Sequence, residues 1–378
     1  MASNSSDSLI EVETPKNVLP PNITPKESDI EITQISKSKI SEVDFHNIPF
    51  GRVFSDHALT IDYKDGEWQT PQIKPFGDMM LSPACSALHY GQSIFEGMKA
   101  NLDANTGEVL LFRPEENAKR LNRSAIRMGM PELPVETFMA GLKTLIKLDR
   151  QWVPQVEDSA LYIRPFMFAN DNFIGVKKAS NYRFVIFTCP VGAYYSKPVS
   201  VWIEKNYKRA FPGGTGAAKA AGNYAATLYP ASLVNEKGYD QILWTDGHES
   251  KYVEEAGTMN VFFVIDGKVV TPDLDGTILE GITRESVLQL MKDRGIEVEE
   301  RRLSVDEILA AYKANKLQEV SGVGTAATIT HIASLGYEDV HYDLPTVADR
   351  KISNSIRKQL VDIKLGIAED KHGWIVRV

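Results

Sequence analysis

The chain has 378 residues, 43% of them hydrophobic and 24% charged, with a formal net charge of −8. That length exceeds what one compact core usually holds, so two domains are expected, and the composition supplies their cores without disulfides or metal. The negative charge argues against nucleic acid or an anionic membrane as a partner, and Cys85 and Cys189, the only cysteines, fit no metal spacing and point to a reducing compartment.

Residues 1–40 are rich in Ser, Pro, Lys, Glu and Asp and contain no aromatic residue. Such an N-terminal extension cannot bury enough apolar area to offset its chain entropy, so it reads as disordered or loosely draped. "IEITQI" within it could add an edge strand. The extension has neither the basic and apolar regions of a secretory signal nor, with its acids and no arginine before Arg52, the look of a transit peptide. No apolar run approaches the roughly 18 residues of a membrane span. A cytoplasmic protein is expected.

Residues 41–195 read as a small α+β domain with an antiparallel sheet. A hairpin turns at Asp65-Gly66. "EVLLF" is a strand broken by Arg113-Pro114, and the helix that follows has Ala118, Leu121, Ala125 and Ile126 on one face. "VETFMAGLKTLIKLDRQWV" is a second amphipathic helix, and "SALYIRPFMFA", "NYRFVIFTCPVGAYY" and "PVSVWIEK" are strands. Residues 196–208 form a linker leading to the Pro/Gly-rich break near Pro212. Residues 209–378 form a larger domain, with a strand at "QILWTD", a hairpin around Asp266-Gly267 and a helix "TRESVLQLMKDRG" stopped by Gly295. A further helix starts at Ser304, with Glu307 completing a capping box. "LQEVSGVGTAATITHI" closes the series as strand, turn and a possible helix start.

Four stretches carry candidate chemistry. "GGTGAAKAAGNYAATLYP" sets Lys219 among small residues. A phosphate-binding P-loop would need glycine where Ala218 stands and Ser or Thr where Ala220 stands, so that reading fails. An amine that does covalent work must lose its proton near neutral pH, which an apolar setting favours, and small neighbours leave clearance for a flat cofactor. A solvated loop lysine would look the same from this stretch alone. "YVEEAGTMNVFFV" places Glu254 and Glu255 at the start of an apolar strand, where a buried carboxylate needs a partner such as a cofactor ring nitrogen; a solvated pair is the alternative. "LEGITRES", with Gly281 and Thr283 ahead of a helix, and "SGVGTAATI", with Gly322, Gly324 and Thr325, are turns able to hold a phosphate or carboxylate. Each is weak alone.

Taken in order, "ALHYGQSIFEGMKA", "LFRPEENAKRLNRSAIRMGMP", "LYIRPFMFA", "CPVGAYY", "KAAGNYAATL", "EEAGTMNVFFV", "LDGTILEGITRES" and "GVGTAATI" resemble the branched-chain amino-acid aminotransferases from about residue 45 onward. The resemblance implies the two-domain, mixed α/β fold type IV of pyridoxal 5'-phosphate enzymes, with a site between domains and at a homodimer interface. It implies transfer of the amino group of leucine, isoleucine or valine to 2-oxoglutarate by a ping-pong route through a Schiff base on Lys219. Lys219 would also shuttle the proton. Glu255 would meet the ring nitrogen and Tyr224 the ring oxygen, and Arg113, Ile282, Thr283 and Thr325 would hold the phosphate. Thr325, Ala326 and Tyr162 would take the substrate's α-carboxylate and Arg164 the side-chain carboxylate of glutamate. Phe95, Tyr194 and Thr258 would line the side-chain pocket, with Tyr90 entering from the other subunit. D-amino-acid transaminases and aminodeoxychorismate lyases share the fold, but "YIRPFMFA" and "GTAATI" argue against both; a non-catalytic homologue would be expected to lack Lys219. The C-x-x-C redox pair of mammalian members is replaced by Ala327 and Thr330, and the wording is closer to bacterial members.

Overall fold

The computed structural model describes residues 29–192 and 197–378. Two sheets organise it. The first runs, in strand order, Glu31–Ile32, Gln72–Pro75, His57–Lys64, Tyr182–Val191, Ala160–Ala169, Met98–Leu102, Val109–Phe112 and Ile375–Arg377, antiparallel except at the Glu31–Ile32 edge. Helices Pro114–Arg127 and Val135–Leu148 pack on it through Ala118, Leu121, Ala125, Phe138, Leu142 and Leu145, all buried against Leu59, Ile61 and Phe184. The second sheet is mixed, in the order Val253–Ala256, Gln241–Thr245, Val199–Glu204, Thr328–Tyr337, Leu317–Gly324, Met259–Ile265, Lys268–Thr271 and Val298–Glu300. Helices Ile282–Asp293 and Lys351–Lys364 share one core with Phe262, Val264 and Val323; helix Val305–Lys313 joins a second with Val201, Leu243 and Phe263.

The hairpins at Asp65-Gly66 and Asp266-Gly267 form as expected, both pairs at positive φ, and the Glu307 amide donates to Ser304 Oγ at 3.1 Å. Five expectations are corrected. Residues 196–208 are not a plain linker: the strand expected at "PVSVWIEK" forms as Val199–Glu204, and it is paired on both sides near the middle of the second sheet, where its Val/Ile alternation is buried. The large domain does not run unbroken to Val378, since Ile375–Arg377 returns to the first sheet beside Val109–Phe112. The region after Ala327 is a strand rather than a helix start, as its Ile329, Thr330 and Ile332 suit a pleat. Ile126, expected on the apolar face of its helix, is 61% exposed. The extension is ordered in its last part: Ile30 is buried in the core and Glu31–Ile32 is the anticipated edge strand. The expectation of disorder for residues 1–28 lies outside the described residues.

Candidate active site

A cavity of about 640 Å³ opens between the two sheets. Strand periodicity aims its first wall: Tyr162, Arg164 and Phe166 alternate with the buried Leu161, Ile163 and Met167, so the polar and aromatic set faces the cavity. Phe95 and Phe187 complete this wall, and Phe50 arrives from the segment preceding the first long strand. The facing wall holds Lys219, Tyr224, Glu255, Thr258, the Gly281–Thr283 helix start and the Gly324–Ala327 turn.

Lys219 is pinned by its backbone. Its carbonyl accepts from the Phe95 amide at 3.0 Å and its amide donates to Ser124 Oγ at 2.9 Å. The amine then reaches Tyr224 Oη at 2.7 Å and lies 4.9 Å from the centre of the Phe95 ring. Lys219 and Tyr224 are brought together because the short helix Ala221–Ala225 begins immediately after the lysine. The small residues give that helix its room.

Glu255 is 4% exposed and fully engaged. Its Oε1 accepts from the Leu279 amide at 3.0 Å and from Asn260 Nδ2 at 3.3 Å, and its Oε2 lies 3.1 Å from Arg209 Nε. A buried carboxylate needs such partners to stay charged. Of the two glutamates, strand alternation turns Glu255 to the cavity and Glu254 away from it.

At the third corner the amides of Ile282 and Thr283 open a 12-residue helix whose start, at Gly281, has no side-chain cap. Free N–H groups and the helix dipole make this an anion cup. A side chain at Gly281 would strike Asn260 and Arg284, so only glycine keeps the cup shallow. Arg120 lines the cavity beside it. Its guanidinium is set by Glu96, through Nε to Oε1 at 2.7 Å and Nη2 to Oε2 at 2.9 Å, and by the Glu280 carbonyl at 2.9 Å. Burial works to raise the Glu96 carboxyl, but the charge and hydrogen bonds of Arg120, with Lys219 and Asn117, outweigh it and hold it below its ordinary range.

The expected phosphate arginine is displaced from this site. Arg113 does not line the cavity; it donates to Ser286 Oγ at 2.9 Å and pairs with Glu285 at 3.0 Å, its guanidinium 5.5 Å from the Trp374 ring. Arg113 starts the helix at φ 50° and so points along its outside, whereas Arg120 lies on the stripe Asn117, Arg120, Ser124 that faces the cleft. Those three polar residues at i, i+3 and i+7 on an otherwise apolar buried face were the signal in the sequence. Arg209 and Phe50 were also missed. Arg209 stands at the first position of the expected large domain, with no local pattern to mark it, and nothing local marks Phe50.

On the substrate side, Arg164 Nη2 donates to Tyr162 Oη at 2.9 Å and the guanidinium lies 4.7 Å from the Phe95 ring centre. Its Nε is buried with no partner among the described residues, a donor left for a ligand. Gly97 leaves room for the Tyr162 hydroxyl, which a Cβ there would overlap. Thr258, Thr325 and Ala326 line the cavity. Tyr90 does not; it ends helix Ser86–Tyr90 and is 40% exposed. Tyr194 lies outside the described residues.

An amine beside a phenol, a buried carboxylate held by an arginine, and a helix start beside a second arginine match the aldehyde, ring nitrogen and phosphate of pyridoxal phosphate in one cavity. Fold and site together define a pyridoxal-phosphate transaminase, and residues 93–335 match the pattern of the amino-transferase class IV family, to which the chain belongs. Within that class it falls among the branched-chain-amino-acid aminotransferases. It is 47% identical over 340 residues to a probable branched-chain-amino-acid aminotransferase of Staphylococcus epidermidis, covering 89% of this chain and 94% of that one. The branched-chain amino acid aminotransferase of Escherichia coli superposes with a TM-score of 0.69 at 28% identity, over 85% of this chain and 98% of that one. The T.th. branched-chain amino acid aminotransferase complexed with N-(5'-phosphopyridoxyl)-L-glutamate gives 0.68 at 26% identity, over 84% and 97%.

Proposed function

We propose that the protein moves the amino group of leucine, isoleucine or valine to 2-oxoglutarate, giving the 2-oxo acid and L-glutamate in two half-reactions at one site. Bound pyridoxal phosphate supplies an electron sink for the Cα carbanion and carries the amino group between the halves. Arg120, the Ile282 and Thr283 amides and Thr325 hold its phosphate; the Arg113 of the initial expectation is replaced by Arg120. Glu255 accepts a hydrogen bond from the ring nitrogen, its charge maintained by Arg209. Tyr224 holds the ring oxygen and steers Lys219. Lys219 Nζ would take the proton from substrate Cα and deliver it across the amino nitrogen to the carbon of the cofactor's aldehyde group, a transfer worth roughly 10²–10⁴ in rate.

Tyr162 and the turn amides of Thr325 and Ala326 take the α-carboxylate. Phe95, Phe50 and Thr258 give the side chain an apolar lining, and Arg164 at its edge serves the second carboxylate of glutamate. An apolar pocket with one arginine in reach admits both substrates and separates leucine from valine weakly, since one methylene is worth about 1–3 kcal/mol.

A second copy of the chain completes the site. Leu88 and Tyr90, with Met80 at 97% exposure, lie beside Ile174 and Val176, the two segments joined by the Phe173 amide bond to the Ala84 carbonyl. That apolar surface suits a homodimer contact that brings Tyr90 to the partner's cavity. Among the described residues no helix is long and apolar enough to cross a membrane, and the protein's place is the cytoplasm.

The observation that carries this reading is the Lys219 amine 2.7 Å from Tyr224 Oη in the cavity that also holds Glu255 and the open helix start. Purified protein with added cofactor should show a visible absorbance band that borohydride abolishes while fixing the cofactor to Lys219, and should form glutamate from leucine and 2-oxoglutarate. Lys219→Ala should lose the borohydride-fixed label and at least about a hundredfold in rate. A wild-type protein that stays colourless with the cofactor would refute the assignment.

A further inference from the structure

Lys99 is assigned no role by the motifs, yet it connects the two halves of the proposed carboxylate subsite. Strand Met98–Leu102 pairs with Ala160–Ala169 so that Lys99 stands directly opposite Tyr162. Cross-strand partners project from the same sheet face. Tyr162 enters the cavity, while Lys99 crosses the cleft and its Nζ donates to the Ala326 carbonyl at 2.6 Å. Ala326 lies in the turn between strands Leu317–Gly324 and Thr328–Tyr337 of the other sheet. One lysine therefore ties the turn that offers backbone amides to the strand that offers the tyrosine hydroxyl.

The turn needs an outside support. Its return residue, Thr328, has φ 59° and pairs with Gly324 across a three-residue loop. That left-handed position ordinarily belongs to glycine, and a β-branched side chain there is strained by roughly 1–3 kcal/mol. Such a conformation persists only where the surroundings over-determine it. Among the described residues Lys99 has no carboxylate at ion-pair distance, so its charge is not spent on an acid. Burial draws the amine down to about 8, with Asp158 opposing. Because a peptide is planar, a carbonyl aimed at Lys99 turns the N–H of the same unit, on Ala327, the opposite way, and Ala327 lines the cavity.

We propose that Lys99 is a positioning residue for α-carboxylate recognition: it holds the Gly324–Ala327 turn in its strained shape, registers it against Tyr162, and adds positive potential behind the amides. The proposal rests on the branched-chain aminotransferase reading of the cavity. The probe is 4-methylpentanoate, which has leucine's side chain and carboxylate but no amine, titrated into the cofactor-loaded enzyme and followed by the cofactor's absorbance or by calorimetry. A second ligand, 3-methylbutylamine, keeps the apolar part and lacks the carboxylate.

Lys99→Met should weaken 4-methylpentanoate about tenfold, as expected for a residue that orients binding groups, and leave 3-methylbutylamine within about twofold. Lys99→Arg, which keeps a charged donor, should recover most of the loss. KM for leucine and for glutamate should rise together in Lys99→Met, with kcat changing less. Should Lys99→Met fail to fold, Lys99→Gln carries the same comparison. Wild-type affinity for 4-methylpentanoate in the loaded variant, or an equal loss for both ligands, overturns the proposal. A wild-type enzyme that binds neither ligand overturns the reading of the cavity itself.

Discussion

Replacing Glu254 by glutamine changes one oxygen of a buried carboxyl to an amide nitrogen. The side chain is 4% exposed, and its Oε2 has no partner. Oε1 lies 2.7 Å from Thr277 Oγ1, and that same hydroxyl lies 2.6 Å from Asp275 Oδ1. A threonine hydroxyl has one hydrogen to donate. With both acids ionised, one of the two contacts would face acceptor to acceptor. Asp275 is exposed and Glu254 is buried, so a proton on Glu254 that is donated to Thr277, while Thr277 donates to Asp275, lets both contacts form. Burial raises the Glu254 carboxyl to about 7 from an ordinary 4.5, with the charge of Arg209 opposing. The folded state thus favours the protonated form. The full stability is present below the unfolded value, declines as the pH climbs from about 4.5 to 7, and stays reduced above it. A shift of that size corresponds to about 3 kcal/mol as an upper bound, at 1.36 kcal/mol for each unit. Glutamine donates in the same place and never ionises. Urea unfolding of wild type and Glu254→Gln at fixed excess cofactor should therefore give matching midpoints near pH 5 and a variant more stable by about 1–3 kcal/mol at pH 8. A difference independent of pH, or a variant less stable at pH 8, would refute the protonation assignment.

The two arginines are separable by cofactor affinity: Arg120→Gln should weaken retention of pyridoxal phosphate by about tenfold or more, read by absorbance titration, and Arg113→Gln should leave it within about twofold. The reverse order would return the phosphate to Arg113. Arg164→Gln should lower kcat/KM for the glutamate half-reaction by at least about tenfold relative to leucine, because its partner there is a second carboxylate. Equal losses in stopped-flow measurements of both half-reactions would remove Arg164 from side-chain recognition.

Much of this site could be read from the sequence because its chemistry lies in contiguous stretches. Lys219 and Tyr224 are five apart on one turn of chain, and the Gly281–Thr283 cup and the Gly324–Ala327 turn each declare themselves by glycine and hydroxyl spacing. What stayed hidden depends on pairs distant in sequence. Arg120 meets Glu96 24 residues away, Arg209 meets Glu255 46 residues later, and Lys99 meets Ala326 across 227. No local pattern encodes those partnerships; the crossing of two sheets does. The strand Val199–Glu204 shows the same limit: the alternation of "PVSVWIEK" marks a strand, but its place between Gln241–Thr245 and Thr328–Tyr337 is set by partners distant in sequence.

The adjacent glutamates show how that limit bears on mechanism. In sequence, Glu254 and Glu255 are indistinguishable. In the fold, one strand turns them to opposite sides, and Arg209 stands between their fates: its Nε pairs with Glu255, while its Nη2 donates to the carbonyl of Thr277, whose hydroxyl engages Glu254. A second charged carboxylate next to this cation would compete with Glu255 for it and weaken the acceptor at the ring nitrogen. With Glu254 neutral, the charge of Arg209 is committed to Glu255 alone. The proton on Glu254 thus does more than relieve a buried acid. It keeps the electrostatics behind the cofactor ring one-sided below about pH 7, so Glu254→Gln should leave kcat near its wild-type value there, whereas a substitution that fixed a negative charge at this position would lower it.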